Sequence, residues 1–387
     1  MTTFKLTSTS QVELFSDISD QPSVLNADTT YIMATVAPLD LDLRAAYLFD
    51  ETKCAILNAV WGSNFTTQQF ARDPSLENSY FKYYDEQCKH ALHFKRLDNV
   101  LKKHADIIDI IQKLRHSNAT RQQEIDDLRS KLRLQSLSSS DALISQAIDL
   151  AVRIWLMLDV GKVPDSLVPG QTPLVWANGT LKEFIENQFG SPVAVQKPIR
   201  VKLDKIFTAR NLECIAGLQI IWTDNLSDHL RLTADTVADD RCIAIFHHVS
   251  VLKHHKDNQV FPCGFVDETL RTLSLLFPQY DAKSSKWLIS QQRNLGLDHR
   301  VIEAGQLKAN ERQIESFRFW HERIIALKQV FDDVEPSTIS QWWFDTRRRV
   351  QWYTFWTAII VVMLTLLFGV VQCVEGGLQV YKAYNPS

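Results

Sequence analysis

Five of the eleven histidines fall in one short stretch, at His229, His247, His248, His254 and His255, with Asp224, Asp228 and Cys242 near them. Neutral imidazole is the commonest metal ligand, and carboxylates complete zinc or iron sites. His229, His247 and His248 are therefore the candidate metal ligands. Their spacing argues against a centre. Neighbouring side chains on a strand point to opposite faces, so only one of His247 and His248 is expected to face a site. His254 and His255, flanked by Lys253 and Lys256, read as a solvated basic loop. An acid–base set is the other possibility. Asp224 and Asp228 stand i,i+4 if the segment is helical, with His229 beside them. Against that, Asp224 and Asn225 are ordinary turn and N-cap residues.

No HExxH, EF-hand loop, GxSxG, P-loop or GxGxxG occurs, and the 12 glycines are too few for Gly-rich phosphate cradles. No cofactor is expected. Cysteines stand at 54, 88, 214, 242, 263 and 373, with no CxxC pair. Cys54, Cys88, Cys214, Cys242 and Cys263 read as buried small hydrophobes or as incidental residues in a reducing compartment. With 42 Lys and Arg against 45 Asp and Glu, the net charge of −3 gives no basic footprint for nucleic acid. The 387 residues are 45% apolar and 22% charged, which excludes collagen-like and wholly disordered chains.

One local extreme breaks these averages. From Val350 to Val374 there is no charged residue. A bilayer core of about 30 Å needs about 20 apolar residues in a helix. Arg347, Arg348 and Arg349 precede the run, whereas Glu375 and Lys382 follow it. Positive charge marks the cytoplasmic side, so the body is expected there. Trp352 and Trp356 supply an interfacial aromatic belt. The first residues hold no apolar h-region, so a tail-anchored topology without a signal peptide is the expectation. The sequons at Asn64, Asn118, Asn178 and Asn225 matter only if the body is lumenal.

The elements that must position these residues come from periodicity. Residues 1–40 are acidic and read as poorly ordered. A helical region covers 41–160, with helices over 41–61, 85–135 and 142–158. The second is interrupted at Ser117-Asn118, and reads as a short coiled coil or a hairpin in a bundle. Asp149 and Arg153 in the third would form an i,i+4 pair, which favours a core helix over a second membrane span. An α+β region follows over 161–298, after a linker punctuated by Pro164, Pro169 and Pro173. It holds helices at 181–189, 209–216 and 267–277, strands at 193–203, 218–222 and 241–246, and a short helical segment at 226–232. A further amphipathic and juxtamembrane helix spans 299–349, broken near Gly305. The transmembrane helix at 350–374 and a short tail at 375–387 complete the chain. The fold class is α+β: a predominantly helical cytoplasmic body with a few short strands, plus one C-terminal transmembrane helix.

Several segments carry a resemblance. Ile220-Ile221-Trp222-Thr223-Asp224-Asn225-Leu226-Ser227-Asp228-His229-Leu230, Glu268-Thr269-Leu270-Arg271-Thr272-Leu273-Ser274-Leu275-Leu276-Phe277-Pro278 and Gln351-Trp352-Tyr353-Thr354-Phe355-Trp356 resemble segments of an uncharacterised family. Its members are single-pass membrane proteins of filamentous ascomycete fungi. The resemblance implies no catalytic residues. It does imply a link to accessory gene clusters affecting hyphal growth or colony form. The expected function is a membrane-anchored interaction or regulatory protein. Its partners would be the lipid bilayer and an unidentified protein, with self-association through the helices at 85–135 and 299–334 possible. The alternatives are a metal-dependent or acid–base enzyme using 224–255, and a surface glycoprotein of inverted topology.

Overall fold

The computed structural model of the chain describes residues 37–384 apart from 46, 73–78, 96, 133–137, 162–172, 191–200, 235–240, 257 and 335–348. The acidic N-terminal stretch to residue 36, most of the linker, the greater part of the strand expected at 193–203, and Arg347 and Arg348 lie outside the described residues.

Apolar residues at three- and four-residue spacing form the first helices. These are α1 (Asp50–Trp61), α2 (Thr67–Arg72), α3 (Tyr80–Lys95), α4 (His104–His116), α5 (Arg121–Leu132) and α6 (Ser138–Leu156). Helix α1 starts later than the pattern at 41–61 suggests, because Asp42 pairs in an isolated bridge with Lys103. It stops where expected, at Gly62 with φ +69°, a backbone that only glycine adopts without strain. The stretch at 85–135 breaks at Ser117-Asn118 as expected, and a second break between Lys95 and His104 makes it three helices. Helices α4 and α5 form a hairpin closed by Lys113–Glu124 and Lys131–Asp109 ion pairs, each 2.8 Å.

Helix α6 is a core helix, buried along its C-terminal half. Its two central charges do not pair with each other. Asp149 binds Arg121 of α5 at 2.7 Å, while Arg153 donates to Gln87 Oε1 and to the Val160 carbonyl. The i,i+4 geometry loses because each charge finds a partner on a different packed segment, and a buried charge needs such a partner. Gly161 makes room for this: a Cβ there would lie 2.4 Å from the Asp149 carboxylate.

Next come α7 (Leu181–Phe189), α8 (Ala209–Cys214), β1 (Gln219–Thr223), β2 (Arg231–Ala234), β3 (Arg241–Phe246) and α9 (Val249–His254). Thr180 and Glu183 close a reciprocal capping box on α7, and Thr208 caps α8. The sheet order is β1-β3-β2. Strand β3 is central. It runs parallel to β1, from Gln219 opposite Cys242 to Thr223 opposite Phe246, and antiparallel to β2. The short helix expected over 226–232 is only a 3₁₀ turn at Leu226–Asp228, followed by β2. Leu230, at φ +59°, redirects the chain between them.

Three more helices complete the described body, α10 (Phe265–Leu276), α11 (Ala282–Leu295) and α12 (His321–Asp333). The long helix expected over 299–334 is replaced by two 3₁₀ turns and α12, although Ile314, Phe317, Trp320, Ile324, Leu327 and Phe331 do line the core. The reason lies in α10. Glu268, 2% exposed, accepts hydrogen bonds from the backbone N–H groups of Arg318, Phe319 and Trp320 at 2.8–2.9 Å. Those N–H groups therefore leave the helical ladder. Around them, Thr269 Oγ1 accepts from Trp320 Nε1 at 2.9 Å and Arg271 donates to the Ser316 carbonyl at 2.6 Å. One apolar core runs from Leu43 to Phe331 and crosses residue 161, with Leu226 N–H bonded to the Met157 carbonyl.

The last helix, α13, spans Arg349–Tyr384, beyond the 350–374 expected. From Trp352 to Tyr384 it is long and apolar enough to cross a membrane, with mean hydropathy 2.5 and none of its most apolar window buried, so it is not a core helix. The fold is thus a mostly helical α+β body with one such helix near the C-terminus.

The Glu268 contacts generate a prediction. Glu268→Ala leaves three N–H donors, that of Trp320 buried, without their carboxylate acceptor and should destabilise the body by about 3 kcal/mol. Urea unfolding of the full chain in detergent measures this. Lys89→Ala, which removes an exposed ion pair, should leave the transition in place.

Candidate functional site

The structure divides the five histidines of the 229–255 stretch into two groups. His229 is fully buried. Its Nδ1 accepts from Phe246 N–H at 3.3 Å, and its Nε2 lies 2.7 Å from Thr272 Oγ1, which itself donates to the Thr269 carbonyl. The ring is therefore the Nε2–H tautomer, with its face met edge-on by Trp320 at 4.9 Å. Burial, aided by the Arg323 charge, lowers its pKa to about 3. Asp228 beside it, 1% exposed, accepts from Asn225 Nδ2 at 2.9 Å and pairs with Arg231 at 2.8 Å. Every polar contact here is internal. His229 ties the sheet to α10 and Asp228 braces the turn before β2, so both candidate acid–base residues are held in internal contacts.

His254 and His255 are not a solvated loop. His254 stacks on Trp61 at 4.8 Å, and His255, 1% exposed, bonds the Trp155 carbonyl at 2.8 Å. They hold α9 against the helical half, and burial lowers the His255 pKa to about 3. His104 is similar: bonded to the Tyr84 hydroxyl at 2.8 Å, it is pushed by burial down to about 4.

Asp224, His247 and His248 do come together. In parallel strands, residues after the last paired positions lie side by side, and ligands favour this carboxyl end of a sheet. Thr223 pairs with Phe246, so Asp224 meets His247 and His248 as both strands end. The strand alternation that should separate the two rings no longer applies, because His248 caps α9 at ψ +71°. Asp224 Oδ1 lies 2.6 Å from His248 Nε2 and 3.2 Å from His247 Nε2, and the two ring centroids are 4.0 Å apart. The rings are buried, whereas the Asp224 side chain is 43% exposed. Asp224 feels the withdrawal from water, which raises its pKa. The two imidazole hydrogen bonds outweigh that and hold it well below the usual carboxylate range. Burial, then the neighbouring His247, lowers His248, so its imidazole stays neutral.

Two residues escaped the sequence reading. Asp298, fully buried, accepts from Ser250 N–H at 2.6 Å and Ser250 Oγ at 3.0 Å, fixing the start of α9. Its own N–H donates to His247 Nδ1 at 3.4 Å. Glu268 had a legible signal: it falls on the buried stripe of its helix, three residues after Phe265 and four before Thr272. Asp298 offered only a Gly-x-Asp turn after α11. Of the sequons, Asn64, Asn118 and Asn178 are exposed. Asn225 is 4% exposed and its amide serves Asp228, Ser227 and Asp159, leaving no room for a glycan in the folded chain. Cys54, Cys88 and Cys242 are buried, as small hydrophobes are, while Cys214 is half-buried and Cys263 is exposed.

No protein-family model, curated protein or solved structure matches the chain.

The buried neutral histidines set a pH dependence. Unfolded histidine takes up a proton below about pH 6.5, whereas His229 and His255 resist it until about 3 and His104 until about 4. The unfolded chain binds more protons across that window, so stability is lost as pH falls through it. Each such histidine should contribute a slope of about 1.4 kcal/mol per pH unit well below pH 6.5. His229→Gln should remove one such share, read from urea midpoints between about pH 7 and about pH 5. An unchanged slope would mean that His229 titrates normally in the fold.

Proposed function

We propose that the chain is a membrane-anchored interaction or regulatory protein whose body is held at the cytoplasmic face of a membrane by α13. The observation that carries the reading is the apolar, wholly unburied helix from Trp352 to Tyr384. At 1.5 Å per residue, the 36-residue helix is about 54 Å long, more than a hydrocarbon core of about 30 Å requires. Its surface of Ile360, Val361, Met363, Leu364, Leu366 and Phe368 is exposed, which water disfavours and lipid accepts. Helix is also the one single-segment way to satisfy the backbone in lipid. The Arg347-Arg348-Arg349 sequence before the apolar run supports the cytoplasmic orientation, and Trp352 and Trp356 at the start of that run suit an interfacial belt. Anchoring would act by raising the effective concentration of the body for partners on the same surface.

Alkaline carbonate extraction tests the anchor. The full chain should stay in the pellet, and a chain lacking 350–374 should move to the supernatant. Extraction of the full chain, or retention of the shortened one, would contradict it. Orientation is read separately. An acceptor sequon placed after Lys382 should be glycosylated, whereas a glycosidase shift at Asn64, Asn118 or Asn178 would invert the topology.

A further inference from the structure

We propose that Asp224, His247 and His248 form a binding site for one divalent transition-metal ion of the zinc class, with solvent supplying the remaining coordination. The inference is independent of the membrane reading. Two neutral nitrogens and one carboxylate oxygen are the donor set of open zinc and non-haem iron sites. The three donor atoms lie within 4.8 Å of one another. Tetrahedral bonds of about 2.0–2.1 Å place donors about 3.3 Å apart. His247 Nε2 and Asp224 Oδ1, at 3.2 Å, already stand at that separation. The 2.6 Å contact between Asp224 and His248 must open, and the exposed Asp224 side chain is the part free to shift.

The two imidazoles are the rigid part. His247 is braced by Asp298 N–H at 3.4 Å and by the edge of Trp222 at 6.3 Å, and His248 packs between Tyr83 and Phe246. The exposed side of Asp224 leaves an approach for the ion and for water.

Coordination has a proton balance. Asp298 N–H makes His247 Nδ1 an acceptor, so the metal-free ring carries its proton on Nε2, facing Asp224. Binding through Nε2 moves that proton to Nδ1 by way of solvent, the ring remains neutral, and the long Asp298 contact opens. His248 Nδ1 is buried and has no hydrogen-bond partner among the described residues, so the same shift breaks nothing there. The metal bonds must replace the hydrogen bonds of both imidazoles to Asp224 as well as the long Asp298 contact, which implies moderate affinity, not the tightness of a closed structural zinc site.

The test uses the full chain in detergent, stripped of metal and titrated with Co²⁺ and then Zn²⁺. One Co²⁺ per chain should bind with the strong visible absorption of four- or five-coordinate cobalt, and one Zn²⁺ should displace it. Asp224→Asn keeps an acceptor oxygen and the fold but should weaken binding by about tenfold or more. His247→Gln should do the same, and His116→Ala, at an exposed site, should change nothing. Near-ultraviolet circular dichroism checks that each variant is folded. Absence of saturable binding, only the pale absorption of six-coordinate cobalt, or unchanged affinity in folded Asp224→Asn would each overturn the proposal. Loss of binding in His116→Ala would do so too, by assigning the ion to the surface.

Discussion

Three consecutive backbone N–H groups, those of Arg318, Phe319 and Trp320, converge on the buried carboxylate of Glu268. A charge at that depth is tolerated only when its lone pairs are filled, and charge-assisted bonds to backbone donors fill them. The contact fixes a kink that sends α12 back across the sheet. The same helix reaches in the other direction through Thr272 to His229, which receives the N–H of Phe246 at the end of β3. Helix α10 is thus the hub of the α+β half. Its polar stripe of Glu268, Thr269 and Thr272 ties the 316–320 segment to the His229 turn and the end of β3.

The Asp224–His247–His248 cluster depends on that frame. Strand β3 is apolar and buried from Cys242 to Phe246, as a central strand covered on both sides must be. It delivers its last residues beside the end of β1, and Asp298 holds the start of α9 so that the chain turns immediately after His248. Two histidines that would alternate along a longer strand are brought to one side by that early turn. The helical half supplies a wall as well, since Tyr83 of α3 lies against His248 while its hydroxyl bonds the Arg153 carbonyl.

Much of this was legible where local physics decides. The helix at 181–189, the stop at Gly62 and the β1 and β3 strands follow from residue type and spacing alone. The amphipathic pattern expected over 299–349 does bury its apolar residues at 314–331, because burial depends on composition even where the backbone differs. What failed were features set by distant partners. A helix through 299–334, broken only near Gly305, looks sound until Glu268, some fifty residues away, takes up the N–H groups of Arg318, Phe319 and Trp320. Asp149 and Arg153 look like a pair until Arg121 and Gln87 offer each a better one. His247 and His248 look opposed until the strand ends at Phe246. The helix expected at 226–232 gives way to β2 because β3 had an unpaired edge to satisfy. In each case a tertiary contact overrode a sound local preference.

The Glu268 carboxylate therefore carries the account of the body, and hydrogen exchange reads its effect without altering any residue. In the full chain at neutral pH, the amides of Arg318, Phe319 and Trp320 lie between a 3₁₀ turn and α12, where an open loop would exchange at once. The structure predicts that all three exchange only as slowly as the central amides of β3, through unfolding of the body. Exchange of these three at the rate of a free peptide, with β3 still protected, would contradict it.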